Sequence, residues 1–321
     1  MLENIARDSL DSAKSTTTRH HGTGTPTPAL GLGCTDKRKE LPIRLRRILG
    51  PQSANAYNYQ HSHDGVDENL LILFHGAGDT HHAYSALGRK MELPQTAILS
   101  LGASLSLDLS YEPLSTGTSS KFVELPFDLG CTWFKEMDYE LTGELLPRDH
   151  PQRLMSLKHA LDLLELILCS LTGANDDTHE GVYESISWVP ERIFLFGFSA
   201  GASLAMEICR MWMNSGRLPL GGAICIAGGI RTDLELLGIP ISNERNKPTD
   251  VLIITGDNDE TYPKQAALLS KQLYHPSHVQ LHVQKGKGHS MIGSKDEMQL
   301  IMEFLSQRLV RRLVSMESRS S

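Results

Sequence analysis

The chain is poor in cysteine and has no run of apolar residues long enough to cross a membrane. Its five cysteines are scattered, odd in number and without a C-x-x-C pair, which argues against a disulfide framework. No stretch reaches the ~18 to 20 consecutive apolar residues that span a bilayer. The first eight residues include acidic side chains where a signal peptide carries positive charge, and no N-x-S/T acceptor occurs. We therefore expect a soluble, cytoplasmic protein.

Basic charge is also scarce. With 31 Lys and Arg against 38 Asp and Glu, the net charge is −7, so we expect no broad basic surface for nucleic acid. Segment 76–81 lacks the third glycine of a dinucleotide fingerprint, and no G-K-[ST] ending of a phosphate loop occurs. His61, His63 and Asp64 lie close together, but no further cluster has ligand spacing, so a solvated hairpin is favoured over a metal site. We expect neither a metal nor an organic cofactor.

What the chain does contain is a serine in a strand–turn–helix context. The apolar run 193–196 leads into Gly197-Phe198-Ser199-Ala200-Gly201, and a helix-like stretch follows. In a G-x-S-x-G pattern the serine sits on a tight turn, which presents its hydroxyl above the sheet. Gly197 and Gly201 carry no bulk where strand and helix must pass closely. The pattern predicts a nucleophile elbow with Ser199 as the nucleophile.

Three more small-residue loops follow predicted strands. The apolar segment 70–74 runs into His75-Gly76-Ala77-Gly78-Asp79, and the segment 251–254 ends at Thr255-Gly256-Asp257-Asn258-Asp259. The segment 278–283 is followed by Lys285-Gly286-Lys287-Gly288-His289. An oxyanion loop, a serine, an acid and a histidine thus occur in the order expected of an α/β-hydrolase, each just past the carboxyl end of a strand.

The remaining pattern predicts an α/β fold with a mostly parallel central sheet and helices on both faces. Further strands are predicted at 95–101 and 222–226, and leucines three or four residues apart predict a helix over 151–171 that ends at Asn175-Asp176-Asp177. Helices are also predicted at 202–213, 262–274 and 297–313, and the alternation Ile43-Arg44-Leu45 predicts an entry strand pair within 41–60. We expect a tail at 1–40, a catalytic domain at 41–314 and a short tail at 315–321.

The four loops carry a family resemblance. The chain resembles the phospholipase/carboxylesterase family of α/β-hydrolases, which contains the acyl-protein thioesterases, over roughly residues 65 to 310. The matching motifs are its H-G-x-G-D loop, G-F-S-x-G elbow, G-x-x-D-x-x-x-P acid loop, final G-H and S-W-F element, which correspond to His75–Asp79, Gly197–Gly201, Gly256–Pro263, Gly288-His289 and Thr132-Trp133-Phe134. Two positions depart from the pattern, because Ala77 and Ala200 replace the usual leucine and glutamine. Substrate preference therefore transfers less readily than mechanism.

The resemblance implies a serine hydrolase that cleaves carboxylic esters or thioesters through an acyl-serine intermediate, with Ser199, Asp259 and His289 as its triad. Histidine has the unperturbed pKa nearest to the task of a general base, and a carboxylate orients its ring. The backbone N–H groups of Ala77 and Ala200 are the expected oxyanion donors. The expected substrate is a small-molecule or lipid-derived acyl ester or thioester, with acylated proteins among the candidates.

Several alternatives stay open from the sequence. Asp257 competes with Asp259 for the role of the acid, although the family motif favours Asp259. His75, Gly76, Trp133 and Phe134 are candidate lining of an acyl pocket, but the two aromatic residues are equally compatible with ordinary core, and the His75 side chain with ordering the loop. A catalytically silent hydrolase-fold protein that binds a small ligand is the alternative to an enzyme, because a fold alone does not guarantee chemistry.

Overall fold

The described part of the chain covers the sheet, its helices and the four loops of interest. The computed structural model describes residues 38–50, 57–103, 123–124, 131–138, 144–173, 188–230, 234–238 and 247–312. The tails predicted at 1–40 (apart from 38–40) and 315–321 lie outside these residues, as does Cys34. So do 111–121 and 175–187, for which the sequence predicts a polar loop over the site and an acidic surface loop.

Seven strands form one sheet. Within the described residues, the strands in chain order are β1 (Tyr57–Gln60), β2 (Asn69–Phe74), β3 (Thr96–Leu101), β4 (Val123–Glu124), β5 (Cys131–Thr132), β6 (Ile193–Phe198), β7 (Gly222–Ile226), β8 (Val251–Gly256) and β9 (Val279–Gln284). The large sheet has the order β1-β3-β2-β6-β7-β8-β9, and β4 pairs with β5 apart from it. Only β1 is antiparallel to its neighbour within the large sheet. The predicted mostly parallel sheet is confirmed.

Helices cover both faces of this sheet. They are α1 (Ile43–Leu49), α2 (His81–Lys90), α3 (Pro151–Thr172), α4 (Ala200–Asn214), α5 (Lys264–Tyr274) and α6 (Lys295–Ser306). Alternate residues of β2 enter different cores: Leu70 and Ile72 pack with α1, α3, α4 and α5, whereas Leu71 and Leu73 pack with α2 and α6. Strands that are buried on both faces consist of continuous apolar residues, and this is why β2, β6 and β8 could be predicted from the sequence.

The sequence prediction was wrong for residues 43–49, which form α1 and not a strand. Leu45 and Leu49 are the buried residues of α1, and their spacing of four places both on one side of a helix. The alternation Ile43-Arg44-Leu45 is too short to distinguish the helix period of 3.6 residues from the strand period of 2. Helix α3 (Pro151–Thr172) agrees with the predicted range 151–171 and ends at Gly173, which has the left-handed conformation (φ 70°). Helix α6 ends at Ser306, before the predicted end at 313.

The parallel register brings the four loops with predicted site residues to one edge of the sheet. The loops after β2, β6, β8 and β9 all leave from the carboxyl ends of parallel strands, and the strand order places β2 beside β6 and β8 beside β9. In such sheets ligands bind in the crevice outside these ends. Among the described residues, no helix combines the length and the apolar character that crossing a bilayer requires.

Candidate active site

Ser199 sits on a strained turn between β6 and α4. Its backbone has φ 53° and ψ −119°, a region that is sparsely populated for a residue with a side chain and costs of order 1–3 kcal/mol. The turn is fixed at both ends, because the Ser199 N–H donates to the Ile226 carbonyl at 2.9 Å and the Ser199 carbonyl accepts from the Ser203 N–H at 2.9 Å. As the residue that precedes α4, Ser199 makes no side-chain cap to the helix. Its hydroxyl is therefore left for another partner.

The two glycines of the elbow are required by space. A Cβ at Gly197 would lie 2.3 Å from the Gly201 carbonyl oxygen, and a Cβ at Gly201 would lie 2.5 Å from the carbonyl oxygens of Phe74 and His75. These neighbours are backbone atoms, which cannot turn aside as a side chain can. The elbow therefore needs glycine at both positions, as its sequence pattern predicts.

The structure brings Ser199, His289 and Asp259 into one hydrogen-bonded chain. His289 Nε2 lies 2.9 Å from Ser199 Oγ, and His289 Nδ1 lies 2.9 and 3.0 Å from the two carboxyl oxygens of Asp259. An ionised carboxylate only accepts hydrogen bonds, so Nδ1 must carry the ring proton, and Nε2 is then free to accept the serine proton. The Asp259 residue is 3% exposed. This geometry suits general-base activation of the serine hydroxyl.

Asp257 and Asp259 have separate places in the acid loop. Asp259 Oδ1 also accepts from the Tyr262 N–H at 2.7 Å, which orients the carboxylate toward the histidine. The Asp257 carboxylate instead accepts from the Gly286 N–H at 2.5 Å, at the surface. Of the two carboxylates, the structure brings that of Asp259 to the imidazole, whereas Asp257 joins the acid loop to the histidine loop.

The loop after β2 is braced by the 131–134 segment. Trp133 Nε1 donates to the His75 carbonyl at 2.8 Å, and the Gly78 N–H donates to the Cys131 carbonyl at 3.0 Å. Trp133 packs edge to face on Phe74, with ring centroids 5.5 Å apart. Trp133 and Phe134 both belong to the buried core. The described contacts of Trp133 are those of a brace for the loop, whereas the Phe134 ring faces Arg153. Contact of either ring with an acyl chain stays a prediction.

The His75 side chain orders the same loop. Its Nδ1 donates to the Gly76 carbonyl at 2.7 Å, and its Nε2 accepts from the Ala103 N–H at 2.9 Å. Burial lowers the pKa of His75 and outweighs the hydrogen bond to Gly76 that acts to raise it. The ring is therefore neutral at physiological pH, with both nitrogens engaged inside the protein.

The loop after β2 and the start of α4 each offer one unbonded backbone amide. Within the described part of the chain, the N–H groups of Ala77 and Ala200 donate no hydrogen bond. The amide of Ala200 is the first of α4, where the helix dipole adds partial positive charge. Unbonded amides of this kind can bind an oxyanion when they face the reacting carbonyl, and this role of Ala77 and Ala200 stays a prediction.

Phe198 is a site residue that the sequence reasoning did not assign. A Cβ on Gly76 would lie 2.8 Å from Cδ1 of Phe198, and the ring also packs against the His289 imidazole, with centroids 5.3 Å apart. Phe198 thus neighbours both the loop after β2 and the histidine. Its position inside the G-F-S-x-G elbow was the available signal, but a phenylalanine beside a strand end is also common core.

Comparisons with known proteins find similarity over part of the chain. The model of the phospholipase/carboxylesterase family matches residues 179–309, a range that includes Ser199, Asp259 and His289. An uncharacterized hydrolase of Mycosarcoma maydis is 32% identical over 176 residues, or 54% of this chain and 54% of that protein. Acyl-protein thioesterase 1 of Kluyveromyces lactis is 33% identical over 150 residues, or 46% of this chain and 62% of that protein. The chain thus spans little more than half of the length of these relatives, and over this part the predicted family resemblance is confirmed.

Solved structures share the fold. The crystal structure of esterase PE8 superposes with a TM-score of 0.56 and 21% identity, covering 79% of this chain and 99% of that one. Acyl-protein thioesterase 2 of Zea mays superposes with a TM-score of 0.54 and 16% identity over 79% of this chain and 99% of that one. The α/β-hydrolase fold is confirmed.

Proposed function

From the premise that this chain has the α/β-hydrolase fold and resembles the phospholipase/carboxylesterase family, we propose that it is a serine hydrolase of carboxylic esters or thioesters. The observation that carries the proposal is the hydrogen-bonded chain Ser199 Oγ–His289 Nε2 and His289 Nδ1–Asp259, with distances of 2.9 to 3.0 Å. A protein without chemistry would have no need for all three groups on a strained turn and two matching loops.

The first half of the reaction acylates the serine. Ser199 Oγ attacks the acyl carbonyl carbon while its proton passes to His289 Nε2. The carbonyl oxygen becomes an oxyanion, for which the amides of Ala77 and Ala200 are the proposed donors. The loss of one such donor typically costs a factor of ~10² to 10³ in turnover. The leaving alcohol or thiol then departs with the proton from the imidazolium, and the acyl group stays on Ser199.

The second half returns the enzyme to its starting state. Water gives a proton to His289 Nε2 as its oxygen attacks the acyl carbon, and the collapse of the second oxyanion releases the carboxylic acid while the proton returns to Ser199 Oγ. Asp259 stays ionised throughout and stabilises the imidazolium in both halves. These steps use only side-chain and backbone groups of the chain, with water as the second substrate.

The substrate class is proposed at the level of an acyl ester or thioester. The similarity to an acyl-protein thioesterase of Kluyveromyces lactis supports acyl groups on a thiol, and the fold shared with an esterase supports acyl groups on an alcohol. Ala77 and Ala200 are small at the two positions that flank the oxyanion. We favour the broader term carboxylesterase because substrate selection depends on these altered positions.

The test is hydrolysis of p-nitrophenyl esters from acetate to palmitate, with a thioester of the same acyl chain measured in parallel. We expect activity in the wild type, none above background in Ser199→Ala, and wild-type activity in the control Ser215→Ala at the far end of α4. A fluorophosphonate probe should label the wild type and not Ser199→Ala. A folded wild type that cleaves no ester and resists the probe would contradict the proposal and favour a silent binding protein.

A further inference from the structure

The loop that carries His289 contains a buried ion pair with no assigned role. Lys287 lies two residues before the histidine and is 8% exposed, and Glu297 lies in the first turn of α6 and is 2% exposed. Lys287 Nζ donates to Glu297 Oε1 and, at 2.9 Å, to the Met291 carbonyl. The lysine side chain thus spans the loop from a point before the histidine to a point after it.

Glu297 closes the other side of the same loop. Its Oε2 accepts from the N–H groups of Gly293 at 2.9 Å and Ser294 at 3.1 Å and from the Ser294 hydroxyl at 3.1 Å. The Ser294 hydroxyl in turn accepts from the Glu297 N–H, which completes a capping box at the start of α6. Burial acts to raise the pKa of Glu297, but the hydrogen bonds from Lys287 and Gly293 outweigh it and lower the pKa below its usual value. The glutamate is therefore ionised at neutral pH.

The backbone of Lys287 ties the histidine loop to the acid loop. Its carbonyl accepts from the Asn258 N–H at 3.0 Å, next to Asp259. The approach is so close that a Cβ on Gly256 would lie 1.8 Å from the Lys287 carbonyl oxygen. One residue therefore connects to the acid loop through its main chain and to α6 through its side chain.

A buried ion pair is weak evidence for stability, because the desolvation of two charges offsets their attraction. Its directional bonds do specify one conformation of the groups that it joins, and those groups are the residues before and after His289. A general base must lie within hydrogen-bond reach of the proton that it takes, and a shift of ~1 Å can cost ~10²-fold in rate. Loss of the ion pair is therefore expected to affect the orientation of His289 most.

We infer that Lys287 and Glu297 are positioning residues, which act through the loop to keep His289 between Ser199 and Asp259. Neither residue touches the reacting atoms. The kinetic consequence rests on the proposed hydrolase function, whereas the structural consequence does not. Loss of either partner should lower kcat and leave KM nearly unchanged, because the imidazole acts in the chemical steps and not in binding.

The experiment compares Lys287→Met and Glu297→Gln with Lys287→Arg, which keeps the charge, and with Arg308→Met. Arg308 forms an ion pair with Asp250 just beyond the other end of α6, with Nη2 3.0 Å from the carboxylate, so its loss controls for weakening of the helix. We expect kcat to fall roughly 10- to 100-fold in the first two variants, to recover most of that loss in Lys287→Arg, and to stay within about twofold in Arg308→Met. Each protein is assayed at a temperature where its circular dichroism is that of the folded state.

A second readout needs no substrate. The Nδ1 proton of His289, hydrogen-bonded to Asp259, should give a downfield imidazole resonance that is lost in His289→Ala. We expect it to disappear or broaden in Lys287→Met and Glu297→Gln and to persist in Arg308→Met. If the wild type hydrolyses nothing, the proposed function fails, and this resonance still decides the positioning role.

The inference would be overturned if both variants kept wild-type kcat and the resonance, or if Arg308→Met lost as much as Lys287→Met. A wild type without the resonance would also overturn it, since the histidine would then not be positioned at all. If Lys287→Met does not fold, Glu297→Gln decides, because it keeps the size and an acceptor oxygen for the cap of α6.

Discussion

The ring of Phe198 packs against the imidazole of His289, with centroids 5.3 Å apart and planes inclined by 36°. The carboxylate of Asp259 holds the imidazole by hydrogen bonds from Nδ1, and the Phe198 ring packs against the imidazole as well. The contact joins the residue before the nucleophile to its proposed base. The elbow thus supplies both the serine and a surface against which the base rests.

We expect Phe198→Ala to lower kcat by about tenfold with a small change in unfolding temperature, because the ring is only partly buried and its loss lets the imidazole tilt. Phe198→Tyr, which keeps the aromatic ring, is the matched control and should retain near wild-type kcat. Steady-state kinetics on one p-nitrophenyl ester measures both. Equal rates in Phe198→Ala and the wild type would show that Phe198 does not orient the imidazole.

Gly76→Ala should disturb the position of Phe198 from the loop after β2. A Cβ there would lie 2.8 Å from Cδ1 and 3.2 Å from Cε1 of Phe198, so either the ring or the loop must shift. We expect roughly a tenfold loss of kcat/KM. Because the obstructing atoms belong to one side chain, adding Phe198→Leu to Gly76→Ala should cost less than the sum of the two single changes. Strict additivity would contradict the steric account.

The two aspartates of the acid loop offer a matched pair. Asp259→Asn should lower kcat by roughly 10³- to 10⁴-fold, since an amide nitrogen facing Nδ1 favours the wrong tautomer of His289. Asp257→Asn should change kcat by less than about threefold, because its carboxylate contacts the Gly286 N–H and not the imidazole. The kinetics of the two purified variants, with their thermal unfolding, test this. A larger loss in Asp257→Asn would reverse the assignment.

The sequence predicted those features that depend on the local chain. Strands β2, β6 and β8 are buried on both faces, so they appear as unbroken apolar runs, and the short motifs that follow them mark the loops. Helix α1 was missed because its seven residues show only one buried pair, Leu45 and Leu49, and so short a stretch does not separate a period of 3.6 from a period of 2.

The hydrogen bonds that support the site loops could not be predicted from the sequence, for a different reason. The bonds from Lys287 to Glu297 and from Trp133 to His75 join positions that are 10 and 58 residues apart, and their partners depend on how loops approach in three dimensions. A lysine two residues before a histidine reads as a solvated charge until the fold buries it. Such partners follow from tertiary packing and have no local pattern.

Trp133→Phe removes one such support and keeps the ring. The variant leaves the His75 carbonyl without the indole N–H at 2.8 Å, a loss of about 1 kcal/mol in the free energy of unfolding. If the bond also fixes the loop that bears Ala77, kcat of the folded protein should fall several-fold, which a loss of stability alone does not cause. KM for a short ester should stay unchanged. A urea titration and the same ester assay give both numbers. Wild-type kcat with lowered stability would make Trp133 purely structural.

The free energy of unfolding should decrease as the pH is lowered, because of His81, a buried histidine at the start of α2. Burial, with smaller contributions from the neighbouring His82 and His75, lowers the pKa of His81 to about 4. In the unfolded chain the pKa is about 6.5, so the unfolded state binds the proton first. The contribution of His81 is thus complete above about pH 6.5 and is lost progressively as the pH falls toward about 4.

Urea unfolding at several pH values between about 4 and 7.5 tests the sign of this effect. His81→Phe should flatten the dependence without removing it, because burial lowers the pKa of His75 in the same direction. His275→Gln, at an exposed position, is the control and should leave the slope unchanged. A slope that His81→Phe leaves intact would show that His81 is not the group that titrates.

The last prediction concerns two amides at the opposite edge of the sheet, which bind the segment after α6. Asn69 donates to the Val310 carbonyl at 2.9 Å and accepts from the Val310 N–H at 3.1 Å. Gln95 donates to the Arg312 carbonyl at 2.9 Å and accepts from the Arg312 N–H at 2.6 Å. Each side chain thus pairs with one residue of the segment as a neighbouring strand would.

Asn69→Ala and Gln95→Ala should each lower the free energy of unfolding by about 1–3 kcal/mol, because each leaves backbone groups without a partner. Gln299→Ala, which removes an exposed bond to Glu303 on α6, should cost less than about 0.5 kcal/mol. Ester hydrolysis should be unchanged where the proteins are folded, since Asn69 opens β2 at the end away from its functional loop. Urea titrations with activity at low urea separate the two effects. A loss of kcat without a loss of stability would mean that this edge communicates with the site.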